Sequence, residues 1–160
     1  KTYDLNYVGL RYFNIFCPRQ NPENPYAAVI PLFCKAFQQD KSPVIFGDGE
    51  TSRDFTYVAN ALHANDLALF TEDQEALNEV YNVACGDQIT LNEMVAFLRE
   101  ISGKDINAVY NSERPGDVKH SKADISKISE KLGYKPQLLF KEGLKNVYEW
   151  YEKQNSIIHK

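Results

Sequence analysis

Seven residues near the start of the chain, Tyr7 to Phe13 (YVGLRYF), form a near-continuous apolar run. A strand with one wet face alternates apolar and polar residues. A run without that alternation suits a strand covered on both faces, as in a parallel sheet. Such a strand needs neighbours on each side, and few residues precede this one. The expectation is therefore the last part of a longer protein.

Further short apolar runs and amphipathic segments follow in alternation. Cys17 to Pro25 is turn-rich, with Pro18, Pro22 and Pro25 among asparagines. A helix is predicted over 27–38, with Pro31 near its start, where a missing N–H is tolerated. Strands are predicted over 43–46, closed by Gly47, Asp48 and Gly49, then over 54–58 and 79–84. Between the last two lies a helix over 59–70. On it Asp66 falls on the stripe of Leu62 and Leu69, where an unpaired buried carboxylate would cost several kcal/mol, unless it turns to solvent. The clearest helix begins at Thr90. Thr90 and Glu93 have capping-box spacing, Leu91, Met94, Val95 and Leu98 recur at helical intervals, and Gly103 offers a stop. A strand over 106–110 comes next. Asp124 can then cap a short helix carrying Ile125, Ile128 and Leu132 and ended by Gly133. The last helix, from about Phe140, puts Leu144, Val147, Tyr148 and Tyr151 on one face. Strands and helices alternating through short connections argue α/β. The strands are too few and too short for a complete doubly wound sheet.

At 160 residues the chain has the length of one domain. A formal net charge of −4 argues against nucleic-acid binding, which needs a clustered basic surface. An anionic ligand must then be held by a few placed cations. Cys17, Cys34 and Cys85 lack CxxC spacing and the histidines are scattered, so neither a disulfide framework nor a metal site is expected. Cys17 has no local histidine or lysine to activate it as a nucleophile. No apolar run approaches the ~20 residues that span a bilayer. The first residues lack the apolar stretch of a signal peptide, which makes the cytoplasm the expected compartment.

Three peptides carry chemistry. Arg53 follows the loop 47–52 (GDGETS), and an arginine fork suits a phosphate bidentately, at roughly 1.5–3 kcal/mol per charge-assisted bond. A surface ion pair with Asp54 or Glu50 would explain the same residue. Arg114 and Asp117 flank Pro115 and Gly116, a tight bend that holds the two charged groups close. An ordinary turn accounts for that peptide equally. Asn14 ends a strand, where ligands of open α/β sheets sit, and could also simply form a turn before Pro18.

The peptides LRYFNIFCPRQNP (10–22), YAAVIPLF (26–33), VIFGDGETSRDFTYV (44–58), VYNVACGDQITLNE (80–93) and ERPGDVKHSKADISK (113–127), in this order and spacing, resemble the C-terminal half of the NAD-dependent sugar-nucleotide epimerases and dehydratases. These are extended short-chain dehydrogenases/reductases, and the resemblance runs from about Tyr3 to Trp150. It implies the last sheet strands of a Rossmann-type α/β fold plus the small substrate-binding subdomain, occupying residues 1–160. By resemblance Arg53 and Arg114 clamp the diphosphate, Asp117 takes the ribose hydroxyls and Asn14 meets a substrate phosphate. Ala28 and Val29 surround the uracil, Phe46 packs on the base, and the Tyr12, Phe13 and Asn14 segment lies beside the nicotinamide. In UDP-hexose 4-epimerases the position of Ser121 borders the sugar's C2 substituent. A tyrosine there leaves room only for a hydroxyl, whereas a small residue admits an N-acetyl group. Ser121 thus points to UDP-N-acetylglucosamine and UDP-N-acetylgalactosamine.

The resemblance also says what these 160 residues lack. None of the ten tyrosines has a lysine four residues on, and the eight glycines never take the spacing of a dinucleotide turn. No catalytic acid or base is carried over, and the chain alone is expected neither to hold NAD tightly nor to turn over. The implied activity is that of a UDP-N-acetylhexosamine 4-epimerase acting by reversible NAD-dependent oxidation at C4, in which this chain anchors the UDP-sugar. A UDP-glucuronate decarboxylase or nucleotide-sugar dehydratase, and a non-catalytic nucleotide-sugar module, are the alternatives. The family-typical homodimer would need the other half. Cys17 and Asp4 stand where the family usually has glycine.

Overall fold

The computed structural model describes residues 5–23 and 28–158, with the side chains of 155–158 excepted. The predicted residues Tyr3, Asp4, Pro25 and Ala27 lie outside the described residues. Strands β1 (Val8–Tyr12), β2 (Ile15–Phe16), β3 (Val44–Phe46), β4 (Ser52–Arg53), β5 (Thr56–Tyr57), β6 (Glu79–Val83), β7 (Ile89–Thr90) and β8 (Val109–Asn111) alternate with helices. These are α1 (Val29–Gln38), α2 (Val58–Phe70), α3 (Leu91–Ser102), α4 (Ser126–Leu132) and α5 (Phe140–Ile158).

The α/β expectation holds, but the strands join as four two-stranded pairings. Three are parallel: β1 with β6, from Val8 opposite Glu79 to Tyr12 opposite Val83, then β2 with β5 and β3 with β8. The fourth, β4 with β7, is antiparallel. The parallel pairing expected of β1 holds, and its cover is incomplete, as expected of a strand with so few residues before it. Its residues are half-buried or exposed, with Tyr12 at 46% and neighbouring Tyr7 at 55%. Among the described residues β6 alone pairs with it, so one edge and much of one face meet solvent.

Two apolar cores hold the elements. The larger gathers Phe33 and Phe37 of α1, Met94 and Leu98 of α3, and Leu144, Val147 and Tyr148 of α5 around Phe16 and Phe55. The smaller packs Tyr81 and Val83 of β6 against Ala64 of α2, Ile128 and Leu132 of α4, and Tyr134. Helix α3 forms as its sequence demands. Thr90 Oγ1 accepts the Glu93 N–H at 3.1 Å, Glu93 Oε2 accepts the Thr90 N–H at 2.7 Å, and Gly103 closes the helix in the left-handed conformation. Asp124 acts one residue earlier than predicted, with Ile125 at the cap position and the Asp124 carboxylate accepting the Ser126 N–H and hydroxyl.

Helix α2 corrects one expectation. Its buried residues are Asn60, Ala61 and Ala64, while Leu62 (60%), Asp66 and Leu69 (75%) are exposed. Asp66 therefore carries no desolvation cost. The small alanine face is what lets the helix lie close over β1 and β5.

Candidate functional site: a cavity between helix α1 and two arginine-bearing segments

A cavity of about 630 Å³ opens between α1, β3, β4 and the turn 114–117. Asn14, Ala28, Val29, Phe46, Arg53, Arg114 and Asp117 all lie on its wall. These residues are scattered over a hundred positions of sequence, and pairing of strands brings them together. Phe16 and Phe55 form part of the floor, locked edge to face at 6.4 Å between ring centroids, with Phe140 5.2 Å from Phe55. A rigid aromatic floor keeps the cavity from collapsing when empty.

The two arginines are pinned differently. Arg53 Nη1 donates to the Ser52 carbonyl at 2.8 Å and the Lys119 carbonyl at 3.3 Å. Its other N–H groups have no partner among the described residues, so one edge of the fork remains for an anion. Arg114 lies over Phe46, its guanidinium carbon 3.8 Å from the ring centroid. Such a contact is made to the ring's π face, and no side-chain N–H of Arg114 has a hydrogen-bond partner among the described residues. The bend between Arg114 and Asp117 is closed by the Asp117 N–H reaching the Arg114 carbonyl at 3.4 Å. Gly116, at φ +86°, supplies the left-handed residue that such a turn requires.

Asn14 takes a positive φ of 38°, which asparagine tolerates better than most residues. Its side-chain amide donates to the Asp54 carbonyl at 3.1 Å, and its own carbonyl accepts the Thr56 N–H at 3.2 Å. One N–H of that amide is left for a ligand oxygen. Tyr12 and Phe13 are not on the cavity wall. The Tyr12 hydroxyl donates to Asn65 at 3.0 Å, and the Phe13 N–H donates to the Val83 carbonyl at 3.1 Å. Ser121 also lies off the wall, its N–H donating to the Ser52 carbonyl at 3.1 Å. It is thus one backbone bond from the strand that carries Arg53.

Three features escaped the sequence reading. Lys35 and Lys41 join the wall, Lys35 paired with Glu23 and Lys41 bonded to Gln39 at 3.1 Å. Asp54 is fully buried, and its carboxylate accepts three backbone N–H groups: Cys85 at 2.9 Å, Gly86 at 3.0 Å and Ala123 at 3.2 Å. Burial pushes its pKa up, against the pull of those three bonds. The available signal was a charged residue inside the run Ser52 to Val58, a place where an apolar one would be ordinary. Burial also raises the thiols, Cys34 to about 12 and Cys85 to about 11, leaving both unsuited to nucleophilic work. Among the described residues no group of His, Cys, Asp or Glu could hold a metal ion, and no helix is long and apolar enough to cross a membrane.

A family model described as GDP-mannose 4,6 dehydratase matches residues 1–147. The chain belongs to this family of NAD-dependent sugar-nucleotide epimerases and dehydratases. A putative UDP-glucose 4-epimerase of Methanocaldococcus jannaschii is 36% identical over 155 residues, which is 97% of this chain and 48% of that protein. The solved UDP-N-acetylglucosamine 4-epimerase of Methanobrevibacter ruminantium, in complex with UDP-N-acetylmuramic acid, is 45% identical. It has a TM-score of 0.86 and covers 96% of this chain and 48% of its own. The UDP-glucuronic acid 4-epimerase of Bacillus cereus, in complex with UDP-glucuronic acid and NAD, is 33% identical. Its TM-score is 0.82, with 92% of this chain and 45% of its own covered. The chain thus spans about half the length of the proteins it matches, and the fold is that of the C-terminal portion of Rossmann-type epimerases.

The residues present do not by themselves fit a dinucleotide. A dinucleotide's pyrophosphate sits on a glycine-rich turn at a helix N-terminus. Here the residues preceding α1, α2, α3 and α4 are Ala28, Tyr57, Thr90 and Ile125. The polar groups of Tyr12 and Phe13 named above are already taken inside the protein.

Proposed function

We propose that this chain is the UDP-sugar-binding portion of a UDP-N-acetylhexosamine 4-epimerase. In the whole protein the reaction would be inversion at C4 through reversible NAD-dependent oxidation, and these residues would anchor the nucleotide while the sugar turns. The observation that carries this reading is the juxtaposition of Arg53, Arg114 and Asp117 with Phe46, Ala28 and Val29 on one cavity wall. Two forks suit a diphosphate, a carboxylate suits hydroxyls, and an apolar end suits a base. In this arrangement the net charge of −4 matters little, since the cations are local.

The bound nucleotides of the related epimerases support a uridine diphosphate, as their names carry UDP-sugars. Small Ser121, tied to the Arg53 strand, supports an N-acetyl group at C2 of the sugar. A nucleotide-sugar dehydratase is the second reading, favoured by the description of the matching family model. No catalytic tyrosine–lysine pair lies in these residues, so we expect ligand binding without turnover from the chain alone.

Isothermal titration of the 160-residue chain with UDP, UDP-glucose and UDP-N-acetylglucosamine tests this. All three should bind, and Ser121→Tyr should lower the affinity for UDP-N-acetylglucosamine about tenfold or more while sparing UDP-glucose. Absence of UDP binding would overturn the nucleotide assignment. Equal loss for both sugars would overturn the assignment of the N-acetyl group alone.

A further inference from the structure

We propose that Asp54 is a positioning residue for the diphosphate end of the cavity, an inference that rests on the nucleotide-sugar reading above. Asp54 is not among the residues that line the cavity, and its two carboxylate oxygens accept the Cys85, Gly86 and Ala123 N–H groups. Those groups belong to two segments remote from Asp54 and from each other in sequence. The carboxylate therefore draws the 85–86 turn and the segment 119–123 onto the same point beside β4.

That second segment shapes Arg53. It runs along β4 as a strap, with the Ser52 N–H donating to the Lys119 carbonyl at 2.8 Å and the Ser121 N–H donating to the Ser52 carbonyl at 3.1 Å. His120 adds a side-chain link, its Nδ1 lying 2.9 Å from Ser52 Oγ. The Lys119 carbonyl is one of the two acceptors that aim Arg53, and Asp54 grips the strap four residues further on. The same residue touches the site on its other side, where its backbone carbonyl holds the Asn14 amide. Phe46, by contrast, is set by pairing with β8, and no bond links it to this network.

A buried carboxylate that accepts three N–H groups is expensive to remove, because each amide loses its partner at once. Asp54→Asn keeps the shape but replaces one of the two accepting oxygens by an NH2 group, which then faces an N–H instead of accepting from it. The strap should then loosen, and Arg53 should lose its aim at the ligand.

The test is a double-mutant cycle read by UDP titration of the 160-residue chain. Asp54→Asn is expected to weaken UDP binding about tenfold in the wild-type background and less than about twofold in an Arg53→Ala background. Equal losses in the two backgrounds would mean a general structural role, and no loss in the wild-type background would mean none. Either result overturns the proposal. If Asp54→Asn does not fold, Ser52→Ala replaces it in the same cycle. That variant severs the His120 link and the bond that Gln88 Nε2 donates to Ser52 Oγ at 3.3 Å, and leaves the carboxylate bonds intact, so it should give a smaller, still Arg53-dependent, loss. UDP affinity unchanged by Ser52→Ala would count against the strap. Should the unsubstituted chain fail to bind UDP, the nucleotide reading falls and this proposal with it. Binding by the unsubstituted chain with an additive cycle removes the proposal alone.

Discussion

Single buried polar side chains decide more of this structure than its surface charges do. Asn60 is fully buried at the start of α2, and all of its hydrogen-bonding atoms are in use. Its Oδ1 accepts the Gln137 N–H at 2.8 Å and the Leu138 N–H at 3.1 Å, while its Nδ2 donates to the Leu138 carbonyl at 2.7 Å and toward the Cys85 sulfur at 3.5 Å. One side chain thereby anchors the loop that leads into α5. Asn60→Ala strips partners from two amides and a carbonyl at once, and should cost about 2–4 kcal/mol. Urea denaturation followed by circular dichroism measures this. A loss below about 1 kcal/mol would mean that water replaces the amide, as water serves well where it can enter. The surface pairs are a different matter. Lys127 with Glu79, Lys131 with Glu75 and Lys141 with Glu100 all sit in solvent, where such pairs contribute little.

At the level of elements, what was legible in the sequence was what is encoded locally. Helix α3 could be read almost to the residue because its cap, its apolar period and its stop lie within fourteen residues, Thr90 to Gly103. The cavity wall was legible through peptides shared with a family rather than through physics, since Arg53 alone is equally an ion-pair partner. Strands β2, β4 and β7 were not legible at all. Each has two residues, and each exists because a partner far along the chain meets it, as when Ser52 meets Thr90. The face of α2 was misread because its apolar residues Leu62 and Leu69 point out, and a buried asparagine and alanines point in. The tie made by Asp54 was hidden for the same reason as the short strands, its amide partners lying 31, 32 and 69 residues away. Helix α5 gives a sharp test of packing at this scale. At Gly143 an added Cβ would come within 2.8 Å of the Phe16 ring and 2.9 Å of the Tyr57 ring. Although alanine is the better helix former by about 1 kcal/mol, overpacking costs about 1–3 kcal/mol and should win. Gly143→Ala should lower the thermal midpoint, and should loosen β2 and β5 in hydrogen exchange before α3. A raised midpoint would show that the two rings move aside freely.

At the level of the whole molecule, the proposed reading separates the groups that would anchor a nucleotide from the residues that would act on it. The cavity has cations, an apolar end and a rigid floor, while the sequence carries no tyrosine–lysine pair and, among the described residues, no glycine-rich turn opens a helix. A ligand that binds only the folded state stabilises it by RT ln(1 + [L]/Kd), so the melting temperature should climb with the logarithm of ligand concentration. Addition of UDP at about a hundred times its Kd should contribute roughly 2.7 kcal/mol, a rise of several degrees for a domain of this size. NAD at the same concentration should leave the midpoint within about one degree, because the Tyr12 hydroxyl and the Phe13 N–H already donate within the protein and no glycine-rich turn opens a helix among the described residues. Differential scanning fluorimetry with both ligands, in the chain and in Arg53→Ala, separates the cases. A UDP shift that vanishes in Arg53→Ala would tie the stabilisation to the diphosphate, since the apolar end is unaltered there. A UDP shift that survives unchanged would move the weight of binding to Phe46 and its neighbours. An equal shift from NAD would mean that the cavity recognises any pyrophosphate, and that the division of labour between the two halves of such enzymes is less strict than their sequences imply.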